Sequence, residues 1–168
     1  MPTPSDDNTP ARVVELVVNL DDVTGEQVGE LIDRLMGLGA LDAWATPITM
    51  KKGRPAIMLS VLANQDDQAA LAEQLLRLTG SFGVRVRPWD RLVLARDWHD
   101  RPTRLGAIKL KAGALNGETL TVKPEFDEVV KLAQAAGVSV AEAHRVAQSA
   151  ADGLLIELRQ AQGGPSNG

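Results

Sequence analysis

The order of apolar patterns in the first 90 residues is the feature that most constrains how this chain can fold. Each pattern is either an apolar run, which favours a strand, or a set of apolar residues at helical spacing. In chain order the sequence predicts a strand over 12–20, a helix after Thr24, strands over 41–50 and 56–62, a helix over 66–78 and a strand over 84–87. This order indicates a ferredoxin-like split βαβ core, an α+β fold in which an antiparallel sheet carries two helices on one face.

Short-range signals indicate where these elements end and which strand lies at an edge. Thr24 and Gln27 have the spacing of a capping box, and Gly39 is expected just beyond the end of the first helix. Pro47 cannot donate a ladder hydrogen bond, so its strand is predicted to lie at a sheet edge or to bulge. Valine and arginine alternate over 84–87, which predicts a half-buried strand with a cationic face.

The chain beyond residue 90 is predicted to add extra β structure and two C-terminal helices. Residues 92–94 and 106–111 have the apolar content of strands. Pro124 is expected near the first residue of the third helix, with Phe126 facing inward. Val140 is expected to begin the inward stripe of the fourth helix.

We therefore expect a single domain over 11–160. Within it a ferredoxin-like half, 11–90, precedes a half of strands and helices, 91–160. The segments 1–10 and 161–168 are rich in Pro, Gly, Ser and Asn and are expected to be disordered tails.

Composition excludes several classes of protein and site. The chain has no cysteine, which rules out disulfides and thiolate metal ligands, and its two histidines, His99 and His144, are too few for a histidine cage. The net charge of -4 argues against a general nucleic-acid binder. The sequence has neither a signal peptide nor an apolar run near ~18 residues, so we expect a cytoplasmic protein without membrane association.

Three cations surround one glycine between the two central predicted strands. These residues are Lys51, Lys52, Gly53 and Arg54, and we call them the basic turn. Glycine allows a tight turn and a close backbone approach to a ligand, while ammonium and guanidinium groups donate to phosphate oxygens. The basic turn is therefore a candidate triphosphate site. A hairpin tip that its charges keep soluble would have the same composition.

Acidic residues cluster where the first strand is followed by the first helix. Asp21, Asp22 and Glu26 would stabilise the helix N-terminus through its free amides and dipole. Carboxylates around one turn also suit a hard divalent ion such as Mg²⁺ or Mn²⁺. Both interpretations remain open from the residues alone.

The middle of this acidic chain is basic. Residues 85–123 contain nine Lys or Arg against four Asp or Glu, which favours anion binding. A solvated strand face would have the same charge. Trp89 and Trp98 could stack on a base, although core or interface packing is the commoner use of tryptophan.

Six short motifs occur in a fixed order along the chain. They lie at 19–26, 39–44 with 46–48, 50–55, 83–85, 106–109 and 123–126. Together they resemble the C-terminal domain of the nickel insertion proteins, the LarC family, over about residues 12–145. The motifs at 19–22 and 50–55 are the most specific when they occur together.

This resemblance implies the CTP-binding part of a nickel chelatase of the lyase class. Such an enzyme inserts Ni²⁺ into pyridinium-3,5-bisthiocarboxylic acid mononucleotide, the precursor of the nickel-pincer cofactor of lactate racemase, and hydrolyses CTP with Mn²⁺ or Mg²⁺. The sequence lacks the family's N-terminal half, so a companion chain that delivers nickel is expected. It also has Gly80 where relatives tend to show a threonine-rich run.

The resemblance assigns roles to the candidate residues. Lys51, Lys52 and Arg54, together with Gly53, are predicted to hold the triphosphate. Further phosphate candidates are Arg85, Lys109 and Lys123, and the metal candidates are Asp21, Asp22, Glu26 and Glu125.

A second function class fits the same fold. Ferredoxin-like domains host many activities and often oligomerise, so a non-catalytic nucleotide-sensing or assembly module is the alternative, with a trimer or a higher homo-oligomer as a reasonable state. RNA binding is disfavoured by the acidic total and by the lack of exposed Phe or Tyr stacking positions.

Overall fold

The computed structural model describes residues 11–162 and divides them into two compact units, 11–92 and 93–162. The predicted tail at 1–10 and residues 163–168 of the other predicted tail lie outside the described residues. In the described part of the chain, no helix has the length and apolar character needed to cross a membrane.

The first unit confirms the predicted split βαβ order. Its sheet is antiparallel with the strand order β2-β3-β1-β4. The elements are β1 (Ala11–Leu20), α1 (Gly25–Gly37), β2 (Asp42–Met50), β3 (Arg54–Asn64), α2 (Gln68–Thr79) and β4 (Arg85–Arg91).

Both helices of this unit pack on one face of the sheet. Leu35 of α1 and Leu75 of α2 are fully buried in one cluster with Leu16 of β1 and Leu59 of β3. Alternation along the strands therefore separates a helix-covered face, which carries the core, from an opposite face, which we call the open face.

The local signals in this unit behave as predicted. The capping box forms, because Thr24 N donates to Gln27 Oε1 at 2.8 Å and Gln27 N donates to Thr24 Oγ1 at 3.3 Å. Gly39 follows the C-cap residue of α1 with φ +97°. Pro47 lies in β2, at one edge of the sheet, which is where a strand residue without an N–H is tolerated.

Two predictions around β4 are wrong. Val84 packs partly buried against the core, but Val86 is 45% exposed, so β4 itself is not half-buried. Residues 92–94 are not a strand, and the chain passes there from one unit to the next. Apolar content alone did not distinguish a connecting segment from a strand.

The second unit is a three-stranded antiparallel meander covered by two helices. The turn between its second and third strands is Asn116-Gly117, with φ values of 51° and 81°, the left-handed pair that suits a tight hairpin. The elements are β5 (Ala95–Thr103), β6 (Gly106–Leu115), β7 (Glu118–Pro124), α3 (Phe126–Ala136) and α4 (Val140–Gln162), with strand order β5-β6-β7.

The core of the second unit lies on one face of this meander. Leu110 of β6, Val129 of α3 and Leu154 of α4 are buried in the same cluster. Small residues of α4, including Ala143 and Ala147, are completely buried, so that helix packs closely. The helices therefore cover one face of the meander, and the other face carries the alternate residues of each strand.

Helix boundaries in this unit correct three predictions. Pro124 ends β7 instead of opening α3, whose N-cap is Glu125. Phe126 and Val140 are exposed rather than inward, because each is the first residue of its helix.

The last turn of α4 binds β7. Thr119 N donates to Gln162 Oε1 at 2.9 Å, and Gln162 Nε2 donates to Thr119 Oγ1 at 2.9 Å. The Arg159 guanidinium donates to the carbonyls of Thr119 and Leu120, at 3.1 Å each. Residues 161–162 of the predicted tail are thus helical, and these contacts tie them to the sheet.

Candidate functional site

The first three residues of the basic turn form a hairpin loop with an unusual backbone. Met50 pairs with Arg54 across the hairpin, so Lys51, Lys52 and Gly53 form the connection. Lys52 has φ 65° and Gly53 has φ 69°. Glycine adopts this left-handed conformation freely, whereas a side chain there costs about 1 kcal/mol. Both lysines are exposed, and they form no ion pair within residues 11–162.

The antiparallel pairing of β1 with β3 brings a predicted metal candidate to the basic turn. Leu20 pairs with Ile57, which places the end of β1 beside the start of β3. Arg54 Nη1 donates to Asp21 Oδ2 at 3.2 Å. Such an exposed ion pair is worth at most about 1 kcal/mol. The Arg54 guanidinium can therefore exchange this carboxylate for a more highly charged ligand.

Arg85 joins this group from the neighbouring edge strand. Val17 of β1 pairs with Arg85 of β4, and Arg85 Nη2 donates to Asn19 Oδ1 at 2.6 Å. Because side chains alternate, Asn19 and Asp21 project on the same side of β1, towards the open face. Asn19 and Asp21 thus hold the two guanidinium groups of Arg85 and Arg54 along one end of the sheet.

The other two acids of the cluster lie elsewhere. Asp22 lines a cleft of about 340 Å³ together with Gln27 and Arg34 of α1 and Thr79 of α2. Glu26 is exposed in the first turn of α1. Within residues 11–162 no group of three or more His, Asp or Glu side chains is arranged to hold a metal ion. The structure therefore brings Asp21 to Arg54 and does not bring the three acids together as a cage.

The remaining candidates belong to the second unit. Lys109 and Lys123 lie in β6 and β7, and the Lys109 ammonium is 5.8 Å from the centre of the Trp98 ring. Glu125 Oε1 accepts a hydrogen bond from Lys111 Nζ at 2.7 Å, so this metal candidate is held in an ion pair.

Sequence reasoning assigned no role to two residues that the structure places beside the candidates. Asn19 lies in the motif at 19–26 and holds Arg85. Lys111 lies in the segment 106–111 that was predicted as a strand, and it contacts both Trp98 and Glu125. The available signal was strand alternation, which puts Asn19 on the same side as Asp21 and Lys111 on the same side as Lys109.

Comparison with known proteins gives one family. Its sequence profile, described as nickel insertion protein, matches residues 3–144. A Myxococcus xanthus protein that bears the family's name is 40% identical over 132 residues, which cover 79% of this chain and 34% of that protein. A Methanothrix thermoacetophila protein of the same name is 40% identical over 137 residues, 81% of this chain and 35% of that protein. The chain thus spans about a third of the length of these relatives.

Two solved structures share the fold. One is LarC2, described as the C-terminal domain of a cyclometallase involved in the synthesis of the NPN cofactor of lactate racemase, in its apo form. It superposes with a TM-score of 0.78 at 33% identity and covers 86% of this chain and 99% of LarC2. The other is protein MK0293 from Methanopyrus kandleri, with a TM-score of 0.64 at 28% identity over 85% of this chain and 88% of that one.

Proposed function

We propose, from the premise that this chain belongs to the nickel insertion protein family, that it is the CTP-binding module of an enzyme that inserts nickel into an organic cofactor. The observation that carries the proposal is the pairing of Arg54 with Asp21 beside the two exposed lysines of the basic turn. Those residues combine donors for a polyphosphate with a carboxylate for its metal ion. The similarity to LarC2 supports the choice of reaction.

The triphosphate would lie over the basic turn. Lys51 and Lys52 supply exposed ammonium groups, and Arg54 and Arg85 supply planar guanidinium groups that can bind phosphate oxygens in pairs. Gly53 has no Cβ, so the backbone can approach a phosphate closely. Positive charge fixed at this place would also offset the negative charge that develops on the leaving phosphates during CTP cleavage.

A hard metal ion would enter with the nucleotide. Mg²⁺ and Mn²⁺ bind through a few carboxylates, water molecules and the substrate phosphates, so a preformed cage is unnecessary. When Arg54 turns to a phosphate, Asp21 loses its partner and is left facing the ion that the phosphates carry. Asp22 and Glu26, which lie nearby on the chain, would act through water.

The nickel requires a further region of the enzyme. The described residues offer neither cysteine nor a cluster of three metal-ligating side chains for nickel. We propose that the part corresponding to the other two thirds of the relatives delivers Ni²⁺. Its acceptor would be the pyridinium-3,5-bisthiocarboxylic acid mononucleotide, a precursor of the nickel-pincer cofactor.

Calorimetric titration with CTP and with ATP, each with and without Mn²⁺, tests the proposal. We expect metal-dependent binding that prefers CTP and is weakened about 100-fold in Lys51→Ala/Lys52→Ala, since two charge-assisted hydrogen bonds are lost. The control is Arg77→Ala/Lys131→Ala. It removes the same charge from helix surfaces, where each cation only pairs with a glutamate of its own helix.

Two results would contradict the proposal. If the wild-type protein binds no nucleotide, the basic turn is only a solvated hairpin tip. CTP binding without any CTP consumption, when nickel, precursor and the companion region are supplied, would favour the nucleotide-sensing function instead.

A further inference from the structure

A row of three paired residues crosses the uncovered face of the second unit's sheet. Trp98 of β5 pairs with Lys111 of β6, and Lys111 pairs with Lys123 of β7. Residues directly opposite each other in antiparallel strands project on the same face. Leu110, the neighbour of Lys111, is completely buried under the helices, so this row lies on the other face of the sheet.

Two lysine ammonium groups lie beside the tryptophan of this row. Trp98 is 46% exposed, and the ammonium groups of Lys111 and Lys109 lie 5.1 Å and 5.8 Å from its ring centre. Both distances are within the range of cation–π attraction. We call Trp98, Lys109, Lys111 and Lys123 the lysine face.

Two carboxylates, Glu125 and Asp100, face these three lysines. Lys111 pairs with Glu125 at 2.7 Å, whereas Lys109 and Lys123 form no ion pair within residues 11–162. Asp100 is opposite Lys109 in the strand register, yet the Lys109 ammonium lies beside the Trp98 ring. The lysine face therefore keeps an excess of positive charge around one accessible aromatic ring.

A second tryptophan shows that this arrangement is not a general property of exposed tryptophans on these strands. Trp89 of β4 is also 46% exposed and has Arg87 at 5.4 Å from its ring centre. Its Nε1 donates to Glu15 Oε2 at 3.1 Å, and Arg87 lies 3.9 Å from the same carboxylate oxygen. Glu15 thus pairs with that cation and accepts a hydrogen bond from the indole N–H.

We propose that the lysine face binds a mononucleotide. The planar ring of the ligand stacks on Trp98, and its phosphate is held by Lys109, Lys111 and Lys123. Stacking on an aromatic side chain is open to any flat heterocycle, and ammonium groups are strong donors to phosphate. Three adjacent strands span only about 10 Å, which suits one nucleotide rather than a polymer.

This inference rests on the second unit alone and is independent of the basic turn. It adds a second ligand site to the chain, and the ligand of that site is a phosphate joined to an aromatic ring. A pyridinium mononucleotide and a pyrimidine mononucleotide share that chemistry, and the titration compares them directly.

Tryptophan fluorescence tests the site in the full chain. Trp44→Phe/Trp89→Phe leaves Trp98 as the one tryptophan, since the chain has three. Nicotinate mononucleotide, CMP and inorganic phosphate are titrated separately. We expect saturable quenching by at least one of the two mononucleotides, and no comparable change with inorganic phosphate, which has no ring to stack. A response to only one mononucleotide identifies the preferred ring.

Variants distinguish a bound nucleotide from collisional quenching. Lys109→Ala/Lys123→Ala in the same background should weaken the binding about tenfold, because two phosphate donors are lost while Lys111 remains. The loss is smaller than at the basic turn, because a monophosphate carries less charge than a triphosphate. Trp98→Phe, which retains Trp44 and Trp89, should show no saturable change. Lys51→Ala/Lys52→Ala should leave the Trp98 response intact, so failure of the CTP site is separable from failure of this one.

Three outcomes would overturn the inference. They are a linear, non-saturating response to both mononucleotides, an equal response to inorganic phosphate, and unchanged binding in Lys109→Ala/Lys123→Ala. Any of them would mean that the lysines only cover the tryptophan as a solvated sheet face.

Discussion

The basic turn and the lysine face are both exposed and positive, but they fix their charges in different ways. In the basic turn, Lys51 and Lys52 extend from a hairpin loop whose backbone is left-handed at Lys52 and Gly53. On the lysine face, strand register sets Lys111 between Trp98 and Lys123. A loop lets point charges converge on a polyphosphate of variable shape, whereas a sheet holds charges at strand spacing around a ring. On this difference we base the proposal of two kinds of anionic ligand.

Measuring the affinity of both double variants for both ligands should give the largest effect. Lys51→Ala/Lys52→Ala should lower the affinity for CTP with Mn²⁺ about 100-fold, while mononucleotide binding at Trp98 stays unchanged. Lys109→Ala/Lys123→Ala should do the reverse, with a loss of about tenfold at Trp98. Calorimetry for CTP and fluorescence for the mononucleotide measure the two independently. If either pair weakens both ligands equally, the two regions belong to one site and the comparison fails.

Removing Asp21, the partner of Arg54, should change metal-dependent and metal-free CTP binding in opposite directions. Asp21→Asn frees the Arg54 guanidinium and removes the proposed metal ligand. We expect CTP binding with Mn²⁺ to weaken about tenfold, and metal-free CTP binding to strengthen slightly. Calorimetry with and without Mn²⁺ measures both.

Asp22→Asn is the matched control for that change. Asp22 lines the cleft on the helix side and makes no contact with Arg54. Its effect on metal-dependent CTP binding should be smaller than that of Asp21→Asn. Equal effects would show that the two aspartates act as a pair on the ion, contrary to the separation seen here.

The smallest effect concerns the backbone of the basic turn. Gly53→Ala should lower the free energy of unfolding by about 1 kcal/mol, because φ 69° is strained for a residue with a Cβ. Lys52→Gly should raise it by up to about 1 kcal/mol for the same reason, while weakening CTP binding. Urea unfolding measures the stability of each variant. A stable Lys52→Gly that still binds CTP at full strength would remove the functional explanation for a lysine in this conformation.

Periodicity predicted the first unit well because β1, β3, α1 and α2 each bury a clear apolar face. The order of strands and helices, the capping box at Thr24 and the edge position of Pro47 all follow from local chemistry. Burial was misjudged at Val86 and Phe126. An apolar residue is buried only if a neighbouring element covers it, and neither Val86 of the edge strand β4 nor Phe126 at the start of α3 is covered.

The site was only partly predictable, since its contacts depend on register. Asp21 and Arg54 are 33 residues apart and were assigned to metal and phosphate separately. Nothing in either segment shows that they touch, because that requires knowing that β1 lies beside β3. Likewise, apolar content predicted a strand over 106–111, but only the pairing of β5 with β6 places Lys111 opposite Trp98.

The contacts of the last turn of α4 with β7 have a consequence for self-association. β7 is an edge strand of its sheet, and edge strands with free carbonyls recruit strands from other molecules. The Arg159 guanidinium occupies the Thr119 and Leu120 carbonyls, and Gln162 occupies the Thr119 amide. The last turn of α4 thus covers polar backbone groups of an edge strand that could otherwise pair with another molecule. A chain shortened before Arg159 should therefore aggregate while its fold stays largely native.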